Sequence, residues 1–239
     1  MSDAARVERI GAAAASRFGG DAPTTNLDLL LALAVALGLP PLTAWLYDVT
    51  GGATLSLLVY YLVCGVALVR WRKGTLDYRW PQRWPWRLFG LSLLGPLALA
   101  AINWGSLRRI GSPALGVALT ALVWASLNAA CEQLSWLYVL DAWRNRWRIG
   151  WRRWLGLIVG ITLILTLVGL IHVLFWIRFL PTGEPTAWSW LVVPINTIMT
   201  AAFALLYYRS RSLWPTFVVH LLMDLQLVLI PLYSILPDL

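Results

Sequence analysis

Long apolar runs, each bounded by a cluster of Arg, Trp, Pro or Gly, dominate this chain. A membrane-crossing helix needs about 20 mainly apolar residues. Seven runs approach that length, at roughly 27–47, 53–70, 88–104, 114–140, 155–179, 188–208 and 213–236. The first contains Pro40-Pro41 and is expected to be broken there, with neighbouring helices or water satisfying the freed backbone groups. The connection between the last two runs is very short, so those two helices are expected to be antiparallel neighbours. No fixed-period repeat interrupts the pattern. The prediction is all-α: a polytopic transmembrane bundle of about seven spans over 27–239, preceded by an arm at 1–26 that is mobile or lies at the interface.

Composition strengthens this reading. Hydrophobic residues make up 59% of the 239 and charged residues only 13%, far below the quarter usual in a soluble domain. The net charge of +8 would suggest nucleic acid in a soluble protein. Here the bases flank apolar runs, so nucleic acid is not expected as a partner. Arg6, Arg9 and Arg17, the Arg70–Arg87 stretch, the Arg144–Arg153 stretch, and Arg209 with Arg211 all fall on one side of the bundle. Only Arg108, Arg109 and Arg178 fall on the other. The positive-inside rule therefore puts the amino terminus in the cytoplasm, and a bacterial inner membrane is the expected location. Many of the sixteen Trp stand beside these Arg, including Trp71, Trp80, Trp84, Trp86, Trp143, Trp147, Trp151 and Trp154. They read as an aromatic belt at headgroup level whose Arg neighbours reach anionic lipid. Cys64 and Cys131 lie in apolar runs and read as packing residues.

Only four ionisable side chains lie deep in the apolar runs: Glu132, His172, His220 and Asp224. A charge near the bilayer centre costs several kcal/mol, about 2.5–3.5 on insertion scales, so such residues point to a task. His220 and Asp224 are four apart and share a helix face. Asn128 shares a face with Glu132 in the same way. Two carboxylates and two imidazoles can activate water or polarise a carbonyl, and they can equally form a polar clasp between helices. A two-His, one-carboxylate metal site on Glu132, His172 and His220 is the other arrangement these residue types allow. No cofactor is required by this reading, and the choice between a divalent metal such as zinc and no metal stays open. By helix rise, Glu132, His220 and Asp224 lie at similar depths, whereas His172 lies farther outward.

These residues resemble the motifs of the CPBP family of intramembrane proteases, the CAAX-protease and bacteriocin-processing group. The segment Arg211-Ser212-Leu213-Trp214-Pro215-Thr216-Phe217-Val218-Val219-His220, followed by Asp224, is similar to the family's third motif. The order of an acidic motif, then a His, then this pair, on three helices, also matches over roughly 114–230. The chain departs from the first motif, Glu-Glu-x-x-x-Arg, in carrying Gln133 and Leu137 after Glu132, and from the second in carrying Val168 before His172. Losing an acid and a base together leaves no unpaired charge in the membrane. The resemblance implies an endopeptidase acting on a peptide or protein substrate. Glu132, helped by His172, would activate water, His220 and Asp224 would polarise the carbonyl, and the cleft would open to the cytoplasm. The alternative is a pseudoprotease of the same fold, serving as a binding or scaffold subunit in a membrane complex. The departures at Gln133, Leu137 and Val168 favour it.

Overall fold

The computed structural model describes residues 24–236 except 148, 182 and 185. The arm expected over 1–26 thus lies outside the described residues apart from its last three. Helices occupy all seven predicted positions: α1 (Asn26–Thr50), α2 (Thr54–Lys73), α3 (Trp86–Ser106), α4 (Ala114–Arg144), α5 (Trp151–Leu174), α6 (Val192–Ser210) and α7 (Trp214–Leu229). Among the described residues, five are long and apolar enough to cross a membrane: α1 to α4, and α5 with the turn that extends it to Arg178. The protein is an all-helical integral membrane protein. Helix α7 has 16 residues, about 24 Å of rise, which is short for a hydrocarbon core of about 30 Å. The chain expected to remain helical to 236 instead turns after Leu229. There the Pro231 carbonyl accepts from the Ile110 amide at 2.6 Å and the Leu232 carbonyl from Ser112 at 2.9 Å.

The break expected at Pro40-Pro41 does not occur. Residues Ala34–Gly38 widen into a π-helical turn, the Leu39 amide donates to the Ala34 carbonyl, and the prolines occupy the first turn of the α-helical stretch that follows. There their missing N–H groups are needed least. Two further π-helical stretches, Leu58–Ala67 in α2 and Thr120–Trp124 in α4, lie beside the polar cluster described below. Such widened turns occur often at functional sites.

Helix α4 is the centre of the bundle: most of Ala125–Ala142 is buried, including Asn128, Glu132, Gln133 and Asp141. Small residues bring its neighbours close. A β-carbon at Gly65 in α2 would lie 2.9 Å from the Cys131 carbonyl oxygen. One at Gly156 in α5 would lie 2.5 Å from the Trp143 carbonyl oxygen, and one at Gly160 would lie 2.9 Å from Leu140 Cδ1. Close backbone approach of this kind drives helix association in lipid, where the hydrophobic effect is absent.

The Arg-rich ends of α2, α4 and α6 are tied by Lys73. Its ammonium donates to Asp77 Oδ2 at 3.0 Å, Asp141 Oδ2 at 2.8 Å and the Tyr207 hydroxyl at 3.1 Å, which uses all three of its hydrogens. The Tyr208 hydroxyl donates to Asp141 Oδ1 at 2.9 Å, and Arg144 lies over the Tyr208 ring. Asp77 adopts a positive φ of 57°, which Asp tolerates, and its carbonyl accepts from the Leu213 amide at the entry to α7. The connection after α2 thus fixes where α7 begins.

Because the Gly65 contact abuts Cys131, beside Glu132, Gly65→Ala is expected to push α2 off α4 and cost about 1–3 kcal/mol. Thermal unfolding in detergent micelles measures this. An unchanged midpoint contradicts the packing described.

Candidate active site

Helices α4 and α7 run antiparallel, and their registers align at two pairs: Glu132 with His220, and Asn128 with Asp224. His220 Nε2 lies 3.4 Å from Glu132 Oε2 and 3.7 Å from Asp224 Oδ1. Asn128 Nδ2 donates to Asp224 Oδ2 at 2.9 Å and to Glu132 Oε2 at 3.3 Å, and its carbonyl oxygen accepts from the Tyr61 hydroxyl at 2.5 Å. That orientation of the amide is the one that puts both N–H bonds on acceptor oxygens and the C=O on a donor. Glu132 Oε1 accepts from Trp176 Nε1 at 3.1 Å. Glu132 is 1% exposed, His220 4% and Asp224 6%, so the cluster is buried within the bundle. In such surroundings a polar network is stabilising only when its members are satisfied.

Aromatic rings fix the imidazole plane. Trp136, one turn after Glu132, stacks on His220 with centroids 4.9 Å apart, and Trp136 Nε1 donates to the Tyr60 hydroxyl at 3.0 Å. Phe203 of α6 lies 5.6 Å from the same imidazole. His220 Nδ1 is buried without a hydrogen-bond partner among the described residues.

His172 stands apart from this cluster. The buried stripe of α5 is Gly156, Gly160, Ile164, Leu167 and Ile171. His172 follows it by one residue, about 100° around the helix. The contacts of Gly156 with Trp143 and of Gly160 with Leu140 set a register in which His172 is level with Asn128, one turn outward of Glu132. His172 is exposed, and among the described residues no hydrogen bond or ion pair joins it to Glu132. Its Nδ1 lies 2.7 Å from the Val168 carbonyl. A carbonyl only accepts, so Nδ1 carries the hydrogen, and in the neutral imidazole Nε2 is then the acceptor. The indole of Trp176, one turn farther along, makes the contact with Glu132 that the family resemblance implies for His172.

All four predicted residues line one cavity of about 430 Å³. It runs from Trp136, Phe203 and His220 to Leu180 and Pro181 in the connection between α5 and α6 and Val192 at the start of α6. That end is opposite the Arg-rich connections. The cavity thus extends toward the side poor in bases. The physical reason lies in α7, where Asp224, Gln226 and Leu227 continue the cavity wall outward from His220. Asn103 donates to Gln226 at 3.3 Å, and Asn196 and Thr200 add further polar groups to this outer half.

Gln133, at the place of the family's second Glu, points elsewhere. Its Nε2 donates to the Tyr78 hydroxyl at 2.5 Å, which itself donates to the Ala130 carbonyl at 2.6 Å. Burial pushes the Tyr78 phenol above its ordinary value, which keeps it a donor. Leu137 is buried in the apolar core. Among the described residues, no group of three or more His, Cys, Asp and Glu forms a candidate metal site.

The fold and the cluster define a class: a polytopic helical membrane protein with an acid–imidazole–acid set buried at a cavity. Residues 114–226 match the family model described as Rce1-like, type II CAAX prenyl endopeptidase Rce1-like. That match bears out the CPBP resemblance over the part of the chain that carries its motifs. No curated protein and no solved structure matches the chain.

Asn128→Leu removes the group that donates to both carboxylates and is expected to destabilise the protein by about 1–3 kcal/mol. Thermal unfolding of the purified variant measures it. Wild-type stability contradicts the bridging role.

Proposed function

We propose that the protein is an intramembrane endopeptidase of the CAAX-protease type, hydrolysing a peptide bond in the cavity beside Glu132. The observation that carries this reading is the direct contact of Glu132 and Asp224 with the His220 imidazole at the wall of that cavity. In the proposed mechanism Glu132 takes a proton from a water, and the resulting hydroxide attacks the scissile carbonyl carbon. Glu132 then returns the proton to the leaving nitrogen as the C–N bond breaks. His220 stabilises the developing oxyanion. Asp224 faces His220 and Asn128, so its role is to orient the imidazole rather than to touch the oxyanion. His172, with its Nε2 lone pair at the cavity wall, is the second group for the attacking water. No metal is required by this route. Zinc held by Glu132, His172 and His220 would need His172 to move, since no such ligand group stands assembled among the described residues. The proposed setting is a bacterial inner membrane with the amino terminus in the cytoplasm.

A second reading is favoured by Trp176. Its indole occupies Glu132 Oε1, while the exposed His172 makes no bond to the acid. On that reading the protein is a pseudoprotease, and the cavity holds a peptide or a membrane-complex partner without cleaving it.

Purified protein in liposomes, given a farnesylated Cys-aliphatic-aliphatic-X peptide, separates the two. The proteolytic reading predicts cleavage, its abolition in Glu132→Ala and in His220→Ala with the fold intact, and a loss of roughly 10²–10⁴-fold in His172→Ala. Full activity in either of the first two variants removes the mechanism. Binding of the peptide with no cleavage by the wild type supports the pseudoprotease.

A further inference from the structure

We propose that the pocket between the start of α3 and the Arg-rich end of α6 binds the phosphate of an anionic phospholipid. It is separate from the cavity at Glu132 and has a volume of about 490 Å³. Arg87 of α3 and Arg209 of α6 both line it, and among the described residues no acidic one does. Among the described residues neither guanidinium has an ion pair or hydrogen bond. On the same side Arg72 pairs with Asp28 at 2.8 Å and Lys73 with Asp77 and Asp141, whereas Arg70, Arg83, Arg152 and Arg153, like Arg87 and Arg209, have no ion pair among the described residues. Two like charges converging on one pocket repel each other, and an anion between them reverses the sign of that interaction.

Two further observations point to the same ligand. Trp84, which also lines the pocket, has its Nε1 buried with no acceptor among the described residues. A buried indole N–H normally finds a partner, and a phosphate oxygen supplies one. The surroundings select a lipid over a free ion. Trp80, Trp84 and Trp86 form a ring array with successive centroids 5.5 and 5.3 Å apart, and Trp80 and Trp86 are exposed. Such rings sit at headgroup depth. Leu205, one helical turn from Arg209, belongs to the pocket wall and is exposed, which gives an acyl chain an apolar side chain of α6 to lie against. The headgroup would link the entry of α3 to the end of α6, the helix that presents Phe203 to His220.

Native mass spectrometry of the full chain in detergent, titrated with phosphatidylglycerol or phosphatidylcholine of identical acyl chains, tests this. Phosphatidylglycerol is expected to bind at least tenfold more tightly. Arg87→Gln with Arg209→Gln is expected to weaken it roughly thirtyfold while the melting midpoint stays at the wild-type value. Should that pair lose its fold, Arg209→Gln alone is expected to weaken binding about fivefold. Trp84→Phe, which keeps a ring and removes the donor, is expected to give a smaller loss of the same sign. Equal binding of the two lipids, or unchanged phosphatidylglycerol affinity in the folded Arg variants, overturns the proposal. Displacement of the lipid by millimolar inorganic phosphate would overturn the choice of lipid as the source.

Discussion

His220 is held between two carboxylates inside a bundle that otherwise offers it only carbon. That constraint orders the rest of the structure. Putting Glu132, His220 and Asp224 in hydrocarbon is tolerable only if they satisfy one another, so α4 and α7 must meet in a single register. Asn128 fixes that register by bridging the two acids, and Tyr61 fixes Asn128. The close approach at Gly65 brings Tyr61 within reach. Sequence spacing sets the pairs, and small residues set the distance.

A second polar cluster supports the first from the Arg-rich end. Lys73 spends its three hydrogens on Asp77, Asp141 and Tyr207, and Asp77 receives the amide that begins α7. The two clusters lie along α4, with Asp141 about 13 Å of helix rise beyond Glu132. One locates the start of α7 and the other its face. His220 is thereby presented to Glu132 by two independent sets of contacts.

Much of this was legible in the sequence. The seven helices follow from apolar runs, because lipid leaves the backbone no choice but internal hydrogen bonds. The pairing of Glu132 with His220 and Asp224 follows from their isolation in apolar stretches, since such groups find each other or do not persist. What the sequence concealed depends on rotation and local backbone. His172 is one residue off the buried stripe of α5, a shift that changes its face but barely its depth. Trp176 was hidden among sixteen Trp that mostly mark an interface, although its spacing of four from His172 places it on the same column. Asn128 carried a signal, one turn before Glu132. The π-helical turn that absorbs Pro40-Pro41 carried none. The direction of the cavity depends on which side chains of α6 and α7 leave space, and no one-dimensional pattern records that.

Glu132 and His220 act as one unit in this bundle. A double-mutant cycle on unfolding stability, with Glu132→Gln, His220→Gln and the pair, tests this most directly. The prediction is a coupling of about 1–3 kcal/mol between the two sites. Strict additivity, with a coupling below about 0.3 kcal/mol, would contradict it and would mean that α4 and α7 do not share a polar core.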